Sequence, residues 1–429
     1  MAEPWLILAD DLSGAADAAI AFARRGRRTD LTWGEHVAGD ASGSSVLAYD
    51  CDSRRLGAAA AGAAQYAAAA RCLQRAAFSG LYKKIDSTLR GQPAAEIAAL
   101  CGSLPAPFDR AFGLFAPANP AMGRATLDGR VFVHGEPLEN TETWRREHSY
   151  PSADLAAMIE GEGLRAIKLS IDQVRAGGAA VRDALAAADP ATGPANETAR
   201  GTILICDAET DDDLDRLVGA ARAHGAPNFF IGTAGLANAL ARSLPPGDRP
   251  PLAIAPSRHG ALIVVGSLAS VARAAARELA AASGVRHVLF TAETLTGEDA
   301  KTRTGMALDI RAALERGTDV LVEMPLAEVP DLSIGPALAR TLATCLAPAL
   351  SRMSGLLVTG GETAAAMLRQ SYVGQIRLVD EIEAGVSLGL MARDNGVPII
   401  TKPGAFGDAQ SLIRALDRLR SIRQTGKLA

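Results

Sequence analysis

Trp5-Leu6-Ile7-Leu8-Ala9-Asp10-Asp11-Leu12-Ser13-Gly14-Ala15 sets five apolar residues against two adjacent carboxylates, and a small-residue run follows. An apolar run this short, stopped by charge and preceded by no basic segment, predicts a buried strand rather than a secretory signal. Similar runs recur outward from it at residues 30–33, 46–49, 81–85, 111–116, 166–169, 202–206 and 228–231, and again at 261–265, 287–290, 319–323, 355–359 and 398–401. Longer helical patterns separate them, so the chain carries the βα signature of mainly parallel sheets flanked by helices. The Ala-rich stretch 56–78 reads as helix by propensity. A last helix is expected to begin near Asp408 as its N-cap, with Leu412, Ile413, Leu416 and Leu419 on one face.

At ~150 residues per domain, 429 residues allow two or three domains. The pattern breaks once, at the five-proline stretch 245–258, which gives two α/β domains, 1–244 and 259–429, joined by a proline-rich linker. The 44 basic and 48 acidic residues nearly cancel, leaving no basic field to attract nucleic acid or an anionic membrane. No run reaches the ~20 apolar residues of a membrane span. Five cysteines without a C-x-x-C pair suggest neither a disulfide framework nor a zinc knuckle, and a reduced cytoplasmic setting is expected. The six histidines are scattered and form no H-E-x-x-H, so any metal is expected to be Mg²⁺ arriving with a nucleotide.

Three apolar runs of the second half end directly in small-residue turns: Val264-Val265-Gly266-Ser267, Val358-Thr359-Gly360-Gly361-Glu362-Thr363 and Thr401-Lys402-Pro403-Gly404. Strand ends of a parallel sheet share one edge, and glycines there let phosphate oxygens approach backbone N–H groups at helix starts. Neither a Walker loop nor a G-x-G-x-x-G fingerprint is present, so a nucleotide would be held another way. The first half offers different chemistry. Asp10 and Asp11 at a strand end suit the hydroxyls of a polyol, or one of them simply caps the next helix. The cluster Lys83-Lys84-Ile85-Asp86-Ser87-Thr88-Leu89-Arg90-Gly91 supplies cations for a carboxylate and oxygens for hydroxyls. Gly385-Val386-Ser387-Leu388-Gly389 matches a nucleophile-elbow pattern, but the apolar run at 376–379 ends well before Ser387 and no histidine follows, which excludes an α/β-hydrolase.

Taken together, these motifs resemble those of the four-carbon acid sugar kinase family. The resemblance runs in order through residues 9–15, 86–91, 117–124, 232–237, 266–267, 359–364 and 402–408. It implies a two-domain kinase whose amino-terminal domain holds a four-carbon sugar acid and whose carboxy-terminal domain holds ATP. The active site would lie in the interdomain cleft, with transfer to the C4 hydroxyl. Carried over by position, the sugar-acid contacts fall on Asp10, Asp11, Lys84, Asp86, Ser87, Arg90 and Arg124, with Asp11 or Asp86 as the catalytic group that orients the hydroxyl. The ATP contacts fall on Ser267, Gly360, Gly361, Glu362, Thr363 and Gly404. Two departures stand out: Ala269 where the family usually has Ser, and Ala405 where it commonly has a second glycine. The motifs do not separate 3-oxo-tetronate, threonate and erythronate, and the oligomeric state, a homo-oligomer included, stays open. The competing readings are a nicotinamide-dependent oxidoreductase of small hydroxy acids, which the missing fingerprint disfavours, and a non-catalytic sugar-acid sensor, for which no DNA-binding module is present.

Overall fold

The computed structural model describes residues 3–34, 45–101, 103–109, 112–148, 150–191, 200–225, 229–248, 251–282, 284–297, 299–325, 334–392 and 396–428. It divides into two compact units, Met1–Asp248 and Arg249–Ala429. Both are α/β, as the alternating pattern predicts. Ala111 and Asn228, included in two predicted strands, and residues 249–250 of the proline-rich stretch lie outside the described residues.

The described part of the first unit forms β1 Trp5–Ala9, β2 Thr29–Trp33, β3 Val46–Asp50, β4 Gly80–Lys84, β5 Gly113–Ala116, β6 Arg124–Leu127, β7 Arg130–Val133, β8 Glu136–Pro137, β9 Arg165–Leu169, β10 Thr202–Cys206 and β11 Phe229–Gly232. Eight of these make a wholly parallel ladder in the order β2-β3-β1-β4-β11-β5-β10-β9. β1 to β5 are buried along their whole length, which is why β1 and β5 read as unbroken apolar runs rather than alternating ones. The helix Leu12–Arg24 buries mainly alanines with Leu12, Ile20 and Phe22, so its backbone packs close to the sheet. The order places β1 between β3 and β4. The chain visits one side of β1 and then the other, which makes a topological switch point at the carboxyl end of β1. Sequence periodicity missed the antiparallel sheet β6-β7-β8, whose strands are two to four residues long.

The helix Asp211–His224 supplies a test of stability. Thr210 and Asp213 form its capping box, and Asp213 also takes the fork of Arg175 through Nε at 3.0 Å and Nη2 at 2.9 Å. Burial works against its charge, but Arg175 and the backbone N–H groups of Glu209 and Thr210 prevail and bring its pKa down to about 2. A depressed carboxyl stabilises the fold above its unfolded value near 4, and the gain fades as pH falls toward 2. Asp213→Asn is therefore expected to cost about 1–2 kcal/mol at pH 7, the half-exposed Arg175 weakening the pair. In urea unfolding, the difference from wild type should vanish as pH approaches 2.

The second unit contains β12 Ala261–Val265, β13 Val285–Leu289, β14 Asp319–Glu323, β15 Gly355–Thr359, β16 Gln375–Glu383, β17 Val386–Met391 and β18 Val397–Lys402. Their order is β13-β14-β12-β15-β18-β17-β16, parallel except where β17 runs against β16 and β18. The strand expected near 376–379 continues to Glu383 and turns through Gly385, at φ +76°, into β17. Ser387 and Gly389 break the apolar run of β17 and hid it. Ser387 thus pairs with Thr401 inside a ladder and occupies no strand-to-helix elbow. The last helix is Ser411–Thr425, with Gln410 at its N-cap position and no side-chain cap, whereas Asp408 closes the turn before it by accepting from Gln410 N at 2.8 Å. Leu412, Leu416 and Leu419 are buried against the sheet as the spacing predicts, and Ile413 is partly buried. The proline-rich stretch is tied down at both ends. Gly247 N donates to Arg25 O in the first unit, and Ile254 N and Ser257 N donate to Gly426 O and Arg423 O in the second. No described helix is long and apolar enough to cross a membrane.

Candidate active site

At the switch point of the first unit, three strand ends meet. Asp10 and Asp11 follow β1, Arg54 lies in the turn after β3, and Asp86 follows β4. Arg54 clamps both leading carboxylates: Nε to Asp10 Oδ2 at 2.6 Å, Nη1 to Asp11 Oδ2 at 2.7 Å, and Nη2 to Asp10 Oδ1 at 3.1 Å and Asp11 Oδ1 at 2.9 Å. Its Nη2 also lies 3.7 Å from Asp86 Oδ1. Arg54 escaped the sequence reading, although its turn, Asp50-Cys51-Asp52-Ser53-Arg54, repeats the strand-then-polar-turn signal.

The carboxylates are engaged to different degrees. Asp86 takes the fork of Arg90, Nε at 3.0 Å and Nη2 at 2.7 Å, and also the N–H and hydroxyl of Thr88 at 3.0 and 2.5 Å. Asp11 caps the helix Leu12–Arg24 through Gly14 N at 2.8 Å, so the capping role and the pairing with Arg54 coexist. Burial opposes ionisation of Asp10 and Asp86, but Arg54 with the nearby lysines holds Asp10 below the usual carboxylate range, and Arg90 with Arg54 holds Asp86 well below it. Burial likewise opposes the charge of Arg54, and the three aspartates outweigh it.

The two lysines of the cluster part company. Lys83 is fully buried and pairs with Glu96 at 2.8 Å, while Ser53 donates to the other oxygen of Glu96 at 2.5 Å. Lys84 is also buried, but its Nζ makes one hydrogen bond, to Ile85 O at 2.9 Å, and no carboxylate of the described residues lies within ion-pair distance. Its Nζ lies beside Gly14, where an added Cβ would come within 3.2 Å. Ser87 is half-buried and makes no side-chain hydrogen bond among the described residues. Arg124 opens β6 and bonds Met122 O; its Nε is buried without a partner, and it senses the charges of Asp86 and Arg90.

In the second unit β12 lies between β14 and β15, so the order again places a switch point at the end of β12. Ser267, Gly360 and Gly404 converge there. A Cβ on Gly404 would lie 1.8 Å from Ser267 Oγ, and one on Gly360, at φ +98°, would meet Ser267 N at 3.3 Å. Thr363 is buried with its Oγ1 against Gly266, where a Cβ would come within 1.9 Å. Gly361 starts the helix after β15, and Glu362 is exposed in its first turn. Neither that helix nor Ser270–Ala281 has a side-chain cap, and Ala269, at the N-cap position of the latter, could not supply one. Ser267 Oγ instead accepts from Ala269 N at 3.2 Å. The two halves are thus electrostatically opposite: the helix after β1 is capped by its own carboxylate, whereas those after β12 and β15 leave N–H groups open to an anion. Among the described residues no three His, Cys, Asp or Glu side chains are grouped as a metal cage.

Residues 5–240 match the family model described as a sugar-binding N-terminal domain, and residues 262–412 match a nucleotide-binding C-terminal domain. The chain is 40% identical to the D-threonate kinase of Cupriavidus necator over 98% of this chain and 99% of that protein. It is 31% identical to the D-threonate kinase of Bordetella bronchiseptica over 99% and 100%. A crystal structure from Salmonella typhimurium LT2 superposes with a TM-score of 0.78 at 21% identity, covering 96% of this chain and 98% of the other, a likeness of fold.

Proposed function

The chain belongs to the four-carbon acid sugar kinase family, and from that membership we propose that it phosphorylates the C4 hydroxyl of a four-carbon sugar acid, D-threonate by preference, with ATP as donor. The observation that carries this reading is the division of charge. A buried, singly bonded ammonium and ionised carboxylates share one strand edge in the half that matches the sugar-binding model. Glycine turns and uncapped helix starts share one in the half that matches the nucleotide-binding model.

Lys84 would take the carboxylate of the sugar acid, since it is the buried cation of its cluster without a carboxylate partner. Asp11 would orient the C4 hydroxyl. Asp86 is saturated by Arg90 and Thr88, whereas among the described residues Asp11 receives Gly14 N and Arg54 alone and is the most exposed of the three carboxylates. Asp86, with Arg90 and Thr88, would shape the wall of the sugar site, while Ser87 and Arg124 supply its remaining polar groups. Ser267, Gly360, Gly361, Thr363 and Gly404 would line the phosphate cradle, because a Cβ at Gly404 would fill the space against Ser267. Mg²⁺ usually keeps phosphate oxygens, water and one or two carboxylates as ligands, a donor set that Glu362 fits; when bound, it would neutralise phosphate charge. Phosphoryl transfer asks the protein mainly for position and charge, so an aspartate that aligns the hydroxyl suffices.

Coupled ADP detection with ATP, Mg²⁺ and a panel of D-threonate, D-erythronate and 3-oxo-tetronate tests the reading. D-Threonate should show the highest kcat/KM, by about tenfold or more, with the phosphate on C4 by ³¹P NMR. ADP release with none of the three would refute the kinase. A best rate with another acid would overturn only the substrate preference.

A further inference from the structure

Lys402 ends β18, immediately before the turn that carries Gly404, and is 1% exposed. Its Nζ has a single acceptor, Pro403 O at 3.4 Å, beyond the usual range for an N–H···O bond. No carboxylate of the described residues lies within ion-pair distance of it. The two carboxylates whose fields favour its charge are Glu383 and Asp408. Both are already held by Arg414, through Nε to Glu383 Oε2 at 2.9 Å and Nη2 to Asp408 Oδ1 at 2.9 Å. Directly across the ladder stands Thr359, in register with Lys402 and therefore on the same sheet face. The Oγ1 of Thr359 is buried and has no hydrogen-bond partner. The Lys402 carbonyl meanwhile accepts from Gly360 N at 3.0 Å, fixing the glycine turn that meets Ser267.

A buried ammonium whose one acceptor is a distant neutral carbonyl is costly, as is a buried hydroxyl without a partner. Two such groups side by side, under three converging glycine and serine turns, mark a position built for an anion. We propose that Lys402 Nζ is the charged contact for the terminal phosphates of the nucleotide, with Thr359 Oγ1 holding the ammonium or a phosphate oxygen beside it. This rests on the assignment of ATP to the second unit. A lysine is a flexible point charge, suited to following the phosphate chain as charge shifts during transfer.

Calorimetric titration of the full-length protein with AMP, ADP and ATP, with Mg²⁺ held constant, separates this proposal from its premise. In the wild type, affinity should rise with phosphate number. Lys402→Met should leave the AMP Kd within about twofold and weaken ATP by about ten- to a hundredfold, a loss of the size expected for a charge-assisted contact. Its melting temperature without nucleotide should be unchanged or raised. Lys402→Gln should behave likewise, and Thr359→Val should show a smaller loss of the same kind. A wild type that binds no nucleotide would remove the ATP assignment itself. A wild type that prefers ATP, with both Lys402 variants keeping that preference, would overturn the inference and leave the assignment standing. Variants that melt lower or lose AMP binding would make Lys402 a structural partner of Glu383 and would overturn it too.

Discussion

Lys84→Met is expected to lower kcat/KM for the sugar acid by about a hundred- to a thousandfold while leaving the melting temperature unchanged or higher. The reason is an imbalance within one strand end. Lys84 Nζ is buried with one neutral acceptor, so the ligand-free protein bears most of the desolvation penalty of its charge and receives little in return. Met removes that charge and keeps the length of the stem. Without it, a substrate carboxylate would enter a buried place lacking its countercharge, a loss that typically costs 2–5 kcal/mol. The adjacent residue is the control. Lys83→Met strands the buried Glu96, whose pKa burial already pushes up, and should destabilise the protein by about 3–5 kcal/mol. Thermal melts and sugar-acid titrations on both variants check the contrast. A Lys84→Met protein with near-normal KM would remove Lys84 from the site.

Asp11→Asn should reduce kcat by at least about a hundredfold and cost less stability than Asp86→Asn, since Arg54 keeps its bonds to Asp10. Asn caps helices as well as Asp does, so Gly14 N keeps its acceptor. What changes is the second oxygen, where an amide can neither align the substrate hydroxyl as a charged acceptor nor receive Arg54 Nη1. Asp86→Asn is expected to behave differently, lowering stability and activity together, because it breaks the fork of Arg90 and the bonds from Thr88. Steady-state rates and thermal melts of the two variants give the comparison. Asp11→Asn with wild-type kcat would end its orienting role. Asp10 and Asp86 are both held below the ordinary carboxylate range, so they stay ionised through neutral pH and should not limit the rate above about pH 4.

What the sequence disclosed followed from the shape of its signals. Strands buried on both faces wrote themselves as apolar runs, and β1, β10, β12, β14 and β15 were legible residue for residue. Strand-end turns were legible for the same reason, since most of the apolar runs stop at a polar or glycine residue. Strands carrying small or polar residues, such as β17, left no such trace, and neither did the short hairpin strands β6 to β8. Side-chain partners across the sheet were beyond reach. Nothing along the chain shows that Arg54 spans Asp10 and Asp11, or that of two adjacent lysines one is paired to Glu96 and the other is not. Those distinctions arise from which face of β4 each residue occupies and from Glu96 on the helix that follows, 13 residues beyond Lys83, and only the folded chain expresses them.

The lone ammonium groups Lys84 and Lys402, one per unit, also bear on how the protein behaves on the bench. A group that lacks a charged partner until a ligand arrives makes small oxyanions and carboxylates stabilisers. A site filled to a hundred times its Kd gains about 2.7 kcal/mol. Phosphate, sulfate or a carboxylate buffer would compete at one lysine or the other and mask weak binding of the true ligand. Preparations in chloride with a cationic buffer should therefore report the intrinsic affinities, and anion-dependent melting curves would chart the two sites separately before any substrate is added.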